Sequence, residues 1–222
     1  MDLPGPRTLG ASTKSASQLH ELFPTPVSSL RGLVSPAHAA NLARVFSQAT
    51  PVANTRSAGL AHSSLLQPGQ SEEVDALAKA LLPHVCDFGT LLLGEARPWS
   101  IKEMWVNVMK PGGQQSVHNH ANCLVSGIVY LTPTQGHTQT VFVKSVGGLD
   151  YKLSNEHAGT QQTPFNAQRW RAPEALPGDA VLFPSYLLHE VPPSQGPLRI
   201  TVAFNAIPDR LDAWGYRLAL SA

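Results

Sequence analysis

The sequence predicts an α+β domain built on a β-sandwich or barrel, and three observations carry that expectation. Helical periodicity is confined to the first hundred residues, short apolar strands crowd the remainder, and turn residues separate those strands. At 222 residues the chain fits one domain with a sizeable core. No repeat recurs at a fixed period.

Residues 1–18 are rich in Gly, Pro, Ser and Thr and lack apolar periodicity. They are expected to form a flexible N-terminal tail ahead of a single domain over 19–222. Leu22-Phe23-Pro24-Thr25-Pro26-Val27 suits an edge strand, because proline cannot donate to a ladder. Residues 36–49 read as a helix, with Ser35 to cap it and Ala39, Leu42, Ala43 and Phe46 at helical spacing. A stretch rich in Pro, Ser and Gly follows. A stronger helix then starts at Ser71, with Glu72, Glu73 and Asp75 in the first turn, where the macrodipole favours acids. Val74, Leu77, Leu81 and Leu82 line one of its faces. From Trp99 onward strands are expected over 101–108, 124–131, 140–143, 180–183 and 198–204. Turns at Pro111-Gly112-Gly113, Pro133 and Pro177-Gly178-Asp179 punctuate them. Residues 146–168 are polar and long for a connection, as lids and disordered loops are.

Composition bounds the function. A formal charge of +1 gives no electrostatic footprint for nucleic acid or a membrane surface. No apolar run stands out as long enough to span a bilayer, and the N-terminus lacks the basic-then-apolar order of a secretory signal. The expectation is a cytoplasmic protein with no nucleic-acid partner and no membrane partner, for which a homodimer is allowed. Cys86 and Cys123 lie far apart in no CxxC pattern and read as reduced thiols.

The chemistry concentrates in Gln115-Ser116-Val117-His118-Asn119-His120, which follows a turn and precedes the strand Cys123 to Leu131. On an extended chain residues two apart point to one face, so His118 and His120 can aim both imidazoles at one point. A third histidine, His189, follows the apolar strand Val181-Leu182-Phe183-Pro184. Ten residues further on stands Arg199, at the head of Arg199-Ile200-Thr201-Val202-Ala203-Phe204-Asn205. Two ligands from one strand and a third from another occupy one face of a metal and leave positions open, the design of non-haem iron oxygenases. An arginine on the neighbouring strand would anchor a carboxylate at the end of a cosubstrate.

The run Trp105-Val106-Asn107, Pro111-Gly112, His118-Asn119-His120, Ser126 to Leu131, Phe183 to His189 and Arg199 to Asn205 resembles the 2-oxoglutarate and iron(II)-dependent oxygenase family of bacteria and phages, related to prolyl hydroxylases. The 22–27 run resembles that family's N-terminal signature. The resemblance implies a double-stranded β-helix (jelly-roll, cupin-like) core with N-terminal helices packed on it and Fe(II) at its open end. It also implies that 2-oxoglutarate chelates the metal and that Arg199, assisted by Thr201, pairs with the far carboxylate. Dioxygen and an unidentified small-molecule substrate complete the implied partners.

One departure matters. The wider superfamily places Asp or Glu two residues after the first histidine, where this chain has His120. Three neutral ligands resemble those of three-histidine dioxygenases, which act on a small thiol or carboxylate substrate without 2-oxoglutarate. His118 and His120 are both expected as ligands, although one on the metal and one beside it is the alternative. A non-enzymatic ligand-binding jelly roll with a structural metal is a third reading. Tyr130 and Asn107 are candidates to line the cosubstrate pocket, with Tyr130 alternatively a core residue whose hydroxyl is satisfied. Glu103 faces either the barrel interior or solvent. Cys123 reads as a small hydrophobe rather than a thiolate ligand. His20, His38, His62 and His84 read as structural or surface residues, His137 and His157 lie at the loop, and Trp170 and Trp214 are expected in the core.

Overall fold

The computed structural model describes residues 7–8, 18–19, 21–47, 52–53, 57, 59–134, 138–146, 155, 157–193 and 196–221. The expected tail therefore lies outside the described residues, except for β1 (Arg7–Thr8), which pairs antiparallel with β2 (Gln18–Leu19). His20 and His137 lie outside them too. So does most of the first half of the 146–168 segment, whose described remainder at 157–168 forms turns.

The helices form where their patterns place them. α1 (Pro36–Ser47) follows β3 (Ser28–Leu30), and the Ser35 hydroxyl accepts from the His38 N–H at 3.2 Å. After the short pair β4 (Val52–Ala53) and β5 (Leu60–His62) comes α2 (Glu72–Leu93). Its N-cap Ser71 accepts from the Val74 N–H, and Gly94 closes it in a left-handed conformation at φ 72°. α2 is long and apolar enough, by length and composition, to cross a membrane, which corrects the expectation that no run reaches that length. Its apolar residues are spread around the helix and interrupted by Pro83, His84 and Asp87, so no continuous run is visible. One face packs as a core helix does: Val74, Leu77, Leu81, Val85 and Phe88 are buried on a sheet.

That sheet is the larger of two antiparallel layers. It is built from β6 (Trp99–Met109), β8 (Val125–Tyr130), β11 (Ala180–Pro184) and β13 (Arg199–Pro208), in the order β3-β11-β8-β13-β6-β5-β4. The smaller is built from β7 (Gln115–His118), β9 (Val141–Val143), β10 (Arg169–Arg171) and β12 (His189–Val191), in the order β10-β9-β12-β7. The two layers are a double-stranded β-helix with α1 and α2 on the outside of the larger one, as expected. Period-two alternation divides the larger sheet's faces. Met104, Val106, Val125, Val129, Leu182, Val202 and Phe204 face the helices, while Trp105, Asn107, Ile128, Thr201 and Ala203 face the smaller sheet. Gly127 lies opposite Phe204, and a Cβ there would sit 2.4 Å from the Phe204 ring. The phenyl ring occupies the space that glycine leaves.

Three expectations need correcting. The edge strand is β3, just beyond 22–27, because Pro24 and Pro26 carry no N–H to pair. Trp170 is 46% exposed and stacks on Phe142 with centroids 5.7 Å apart, outside the core. Trp214 is 95% exposed at the tip of the hairpin β14 (Arg210–Ala213) and β15 (Tyr216–Ala219). There it takes φ 49° beside Gly215 at φ 79°, the two positive angles of a tight hairpin turn, so turn geometry places it rather than hydrophobicity.

Candidate metal centre

His118 ends β7 and His189 opens β12, and the two are direct cross-strand partners. Their ring centroids lie 4.2 Å apart. The β7–β12 register shifts between His189 and Val191, a bulge of the kind that re-aims side chains beside functional sites. His120 lies two residues past the end of β7, held by a 3.0 Å bond from its N–H to the Ser185 carbonyl. Its ring centroid is 5.3 Å from that of His118 and 5.0 Å from that of His189. One ring nitrogen from each histidine falls within 4.8 Å of the other two.

Hydrogen bonds determine which nitrogen that is. Nδ1 of His118 lies 2.7 Å from the Ser116 carbonyl, Nδ1 of His189 lies 2.9 Å from the Leu187 carbonyl, and Nδ1 of His120 lies 2.6 Å from Oδ1 of Asn205. Amide oxygens only accept, so each Nδ1 carries the hydrogen and each Nε2 is left with its lone pair. Burial pushes all three imidazoles below their usual pKa. His189 goes down to about 3, with the neighbouring charges of His118 and His120 adding to its burial. Three neutral nitrogen donors are the ligand set that suits zinc, copper, iron or nickel.

A cavity of about 430 Å³ opens between the sheets beside this cluster. One wall is the inner face of the larger sheet, where His62, Asn107 and Thr201 sit opposite one another on β5, β6 and β13. Oδ1 of Asn107 is buried without a hydrogen-bond partner. Arg199 also lines the cavity and is itself 4% exposed. Its guanidinium donates to the Thr138 carbonyl at 2.9 Å and lies 3.4 Å from the Thr201 hydroxyl and 3.5 Å from that of Thr140. Among the described residues no carboxylate pairs with it, and burial pushes its pKa down. Tyr130 does not line the cavity. It packs beside Arg199, with its ring centroid 5.6 Å from the guanidinium carbon and its hydroxyl 3.2 Å from that of Thr140.

The structure thus gathers His118, His120, His189, Arg199, Thr201 and Asn107 around one cavity, with Tyr130 behind it. Sequence reading took His62 as structural or surface and gave it no part in the site, whereas it lines the cavity opposite Asn107. The signal was its two-residue spacing from Leu60, which also lines the cavity, hidden in a Pro- and Ser-rich stretch. It also assigned no role to Asn205 and Ser126, because only strand register brings them to His120.

Residues 103–205, from within β6 to within β13, match the model of a family described as putative 2OG-Fe(II) oxygenase. Over those residues the resemblance read from the sequence is borne out. Solved structures agree on the fold of that oxygenase family. HygX from Streptomyces hygroscopicus, with nickel and 2-oxoglutarate bound, is 15% identical at a TM-score of 0.61, covering 83% of each chain. The non-heme alpha ketoglutarate dependent epimerase SnoN from nogalamycin biosynthesis is 13% identical at 0.60, over 84% of this chain and 80% of its own. A Pseudomonas putida prolyl-4-hydroxylase is 16% identical at 0.56, over 83% and 93%. No curated protein matches the sequence.

Proposed function

We propose that this chain is a non-haem Fe(II) oxygenase that uses 2-oxoglutarate and dioxygen to hydroxylate a small-molecule substrate at an aliphatic C–H bond. His118, His120 and His189 would hold the iron through Nε2. Iron and 2-oxoglutarate, when bound, supply oxygen activation coupled to decarboxylation of the cosubstrate to succinate. Three donors among the described residues suit an open site, where a structural zinc site would close with a fourth.

The observation that carries the reading is Arg199. A cation buried on a cavity wall, with hydroxyls and one carbonyl for neighbours, is costly until an anion joins it. Its planar fork would take the far carboxylate of 2-oxoglutarate, with the Thr201 hydroxyl beside it. Asn107 Oδ1 would accept from a bound donor on the same wall, and Tyr130 would hold Arg199 from behind. HygX, which holds nickel and 2-oxoglutarate, supports this arrangement through a shared fold.

The three-histidine donor set favours one second reading. Without a ligand carboxylate the metal keeps its full charge, which suits direct binding of a thiolate or carboxylate substrate with Arg199 on its acid group. An anaerobic titration of the Fe(II)-loaded protein with 2-oxoglutarate separates the two. The first reading expects a visible charge-transfer band and, with oxygen admitted, succinate. Iron binding with no band and no succinate would leave only the second.

A further inference from the structure

We infer that Glu103, Asn205 and Ser126 form a positioning relay that locks His120 as an Nε2 donor. The inference rests on the metal reading above and concerns how this chain holds its unusual third ligand. The three residues form one transverse row of the larger sheet, since Asn205 of β13 lies opposite Glu103 of β6 and Ser126 of β8. A register shift between Asn205 and Ala206 sits at the same row.

The hydrogen-bond directions in that row have one solution. A carboxylate only accepts, so the Asn205 amide must turn Nδ2 toward Glu103 Oε1, 2.5 Å away. Oδ1 then faces the other way. It accepts from the Ser126 hydroxyl at 2.6 Å and from His120 Nδ1–H at 2.6 Å. Ser126 Oγ lies 2.9 Å from the same Nδ1 and can share its hydrogen. Glu103 thus sets Asn205, and Asn205 sets His120. The other two histidines are fixed differently. Backbone carbonyls take their Nδ1–H groups, so the orientation of His118 and His189 follows from the chain trace, whereas that of His120 depends on side chains. A carboxylate at the end of the relay also directs negative charge toward the imidazole. An outer partner of that kind raises ligand basicity.

The variants Glu103→Ala, Asn205→Ala and their combination test this. In the metal-free protein, long-range proton–nitrogen correlation spectra report the tautomer of each histidine, and Co(II) titration reports metal affinity. Glu103→Ala is expected to mix the His120 tautomers while leaving His118 and His189 unchanged, and to weaken Co(II) binding about tenfold. Asn205→Ala is expected to weaken it about 10- to 100-fold. The double variant should match Asn205→Ala alone, because Glu103 acts through that amide. An unchanged His120 tautomer in Glu103→Ala, or substitutions whose effects add, would overturn the relay. Glu103 is partly exposed, so Glu103→Ala decides the matter by tautomer alone if Asn205→Ala does not fold. Failure of the wild-type protein to bind Co(II) would count against the metal reading instead, while the tautomer result still judges the relay.

Discussion

The two functional regions of the cavity wall reach different degrees of completion within the chain itself. Among the histidines, every Nδ1 is bonded to a protein oxygen and the three free nitrogens converge. At the arginine, a buried cation has, among the described residues, only neutral oxygens around it. A metal site gains from donors that are already oriented, since ordering them at binding would cost affinity. A carboxylate site gains from a charge left without its partner, since the incoming anion then relieves a desolvation cost the fold already carries.

The largest expected effects separate these regions cleanly. His189→Ala should weaken Fe(II) or Co(II) binding by at least about 100-fold, since loss of a mere outer partner costs about 10- to 100-fold. Arg199→Leu should leave metal affinity in place and weaken 2-oxoglutarate binding by about 10- to 100-fold, the worth of a charge-assisted hydrogen-bonded pair. It should also stabilise the ligand-free protein by about 1–3 kcal/mol, because it removes a buried charge that no carboxylate among the described residues pairs with. Isothermal titration and urea unfolding measure all three. A ligand-free Arg199→Leu variant less stable than wild type would show that the guanidinium is a structural element.

Acid sharpens the same contrast. The His189 pKa falls from 6.5 to about 3 in the folded protein, so between those values the unfolded chain takes up a proton that the folded chain refuses. Stability of the metal-free protein is therefore unaffected by this group above pH 6.5 and drops as pH falls below it, by about 1.4 kcal/mol per pH unit. His118 and His120 shift the same way and steepen the fall. Urea midpoints at pH 7.5 and 5.5 check it. His189→Ala should flatten the slope, whereas Arg199→Leu should raise the whole curve without changing it. Equal slopes in all three proteins would mean that the histidines stay accessible to protons.

How much of this was legible in the sequence follows from the range of the interactions. The helix over α2 and its Ser71 cap are local, and pattern alone placed them. The histidines and Arg199 stood out because each borders an apolar strand, and period-two geometry aims His118 and His120 together. What stayed hidden depends on which strand lies beside which. His62 meets Asn107 only because β5 pairs with β6, and Glu103, Asn205 and Ser126 form a row only through the register of β6, β13 and β8. One sequence holds no record of register. Trp214 failed for a different reason: its size argued for the core, while the following Gly215 and the alternating residues on each side spelled a hairpin tip.

The smallest effect tests where the arginine region ends. Tyr130 lies opposite Thr201 yet does not line the cavity, and burial pushes its phenol pKa up while the neighbouring Arg199 opposes the rise. Its hydroxyl bonds to Thr140, which also lies beside the guanidinium. Tyr130→Phe keeps the ring packed against Arg199 and removes only the hydroxyl, so the expected loss is about 1 kcal/mol in stability. Any effect on 2-oxoglutarate binding should be of similar size, about fivefold, because the hydroxyl acts by holding Arg199 rather than by touching the ligand. Metal affinity should not move at all. A change in Co(II) binding would mean that Tyr130 reaches the histidines, and the division of the cavity wall into a finished metal region and an unfinished anion region would not hold.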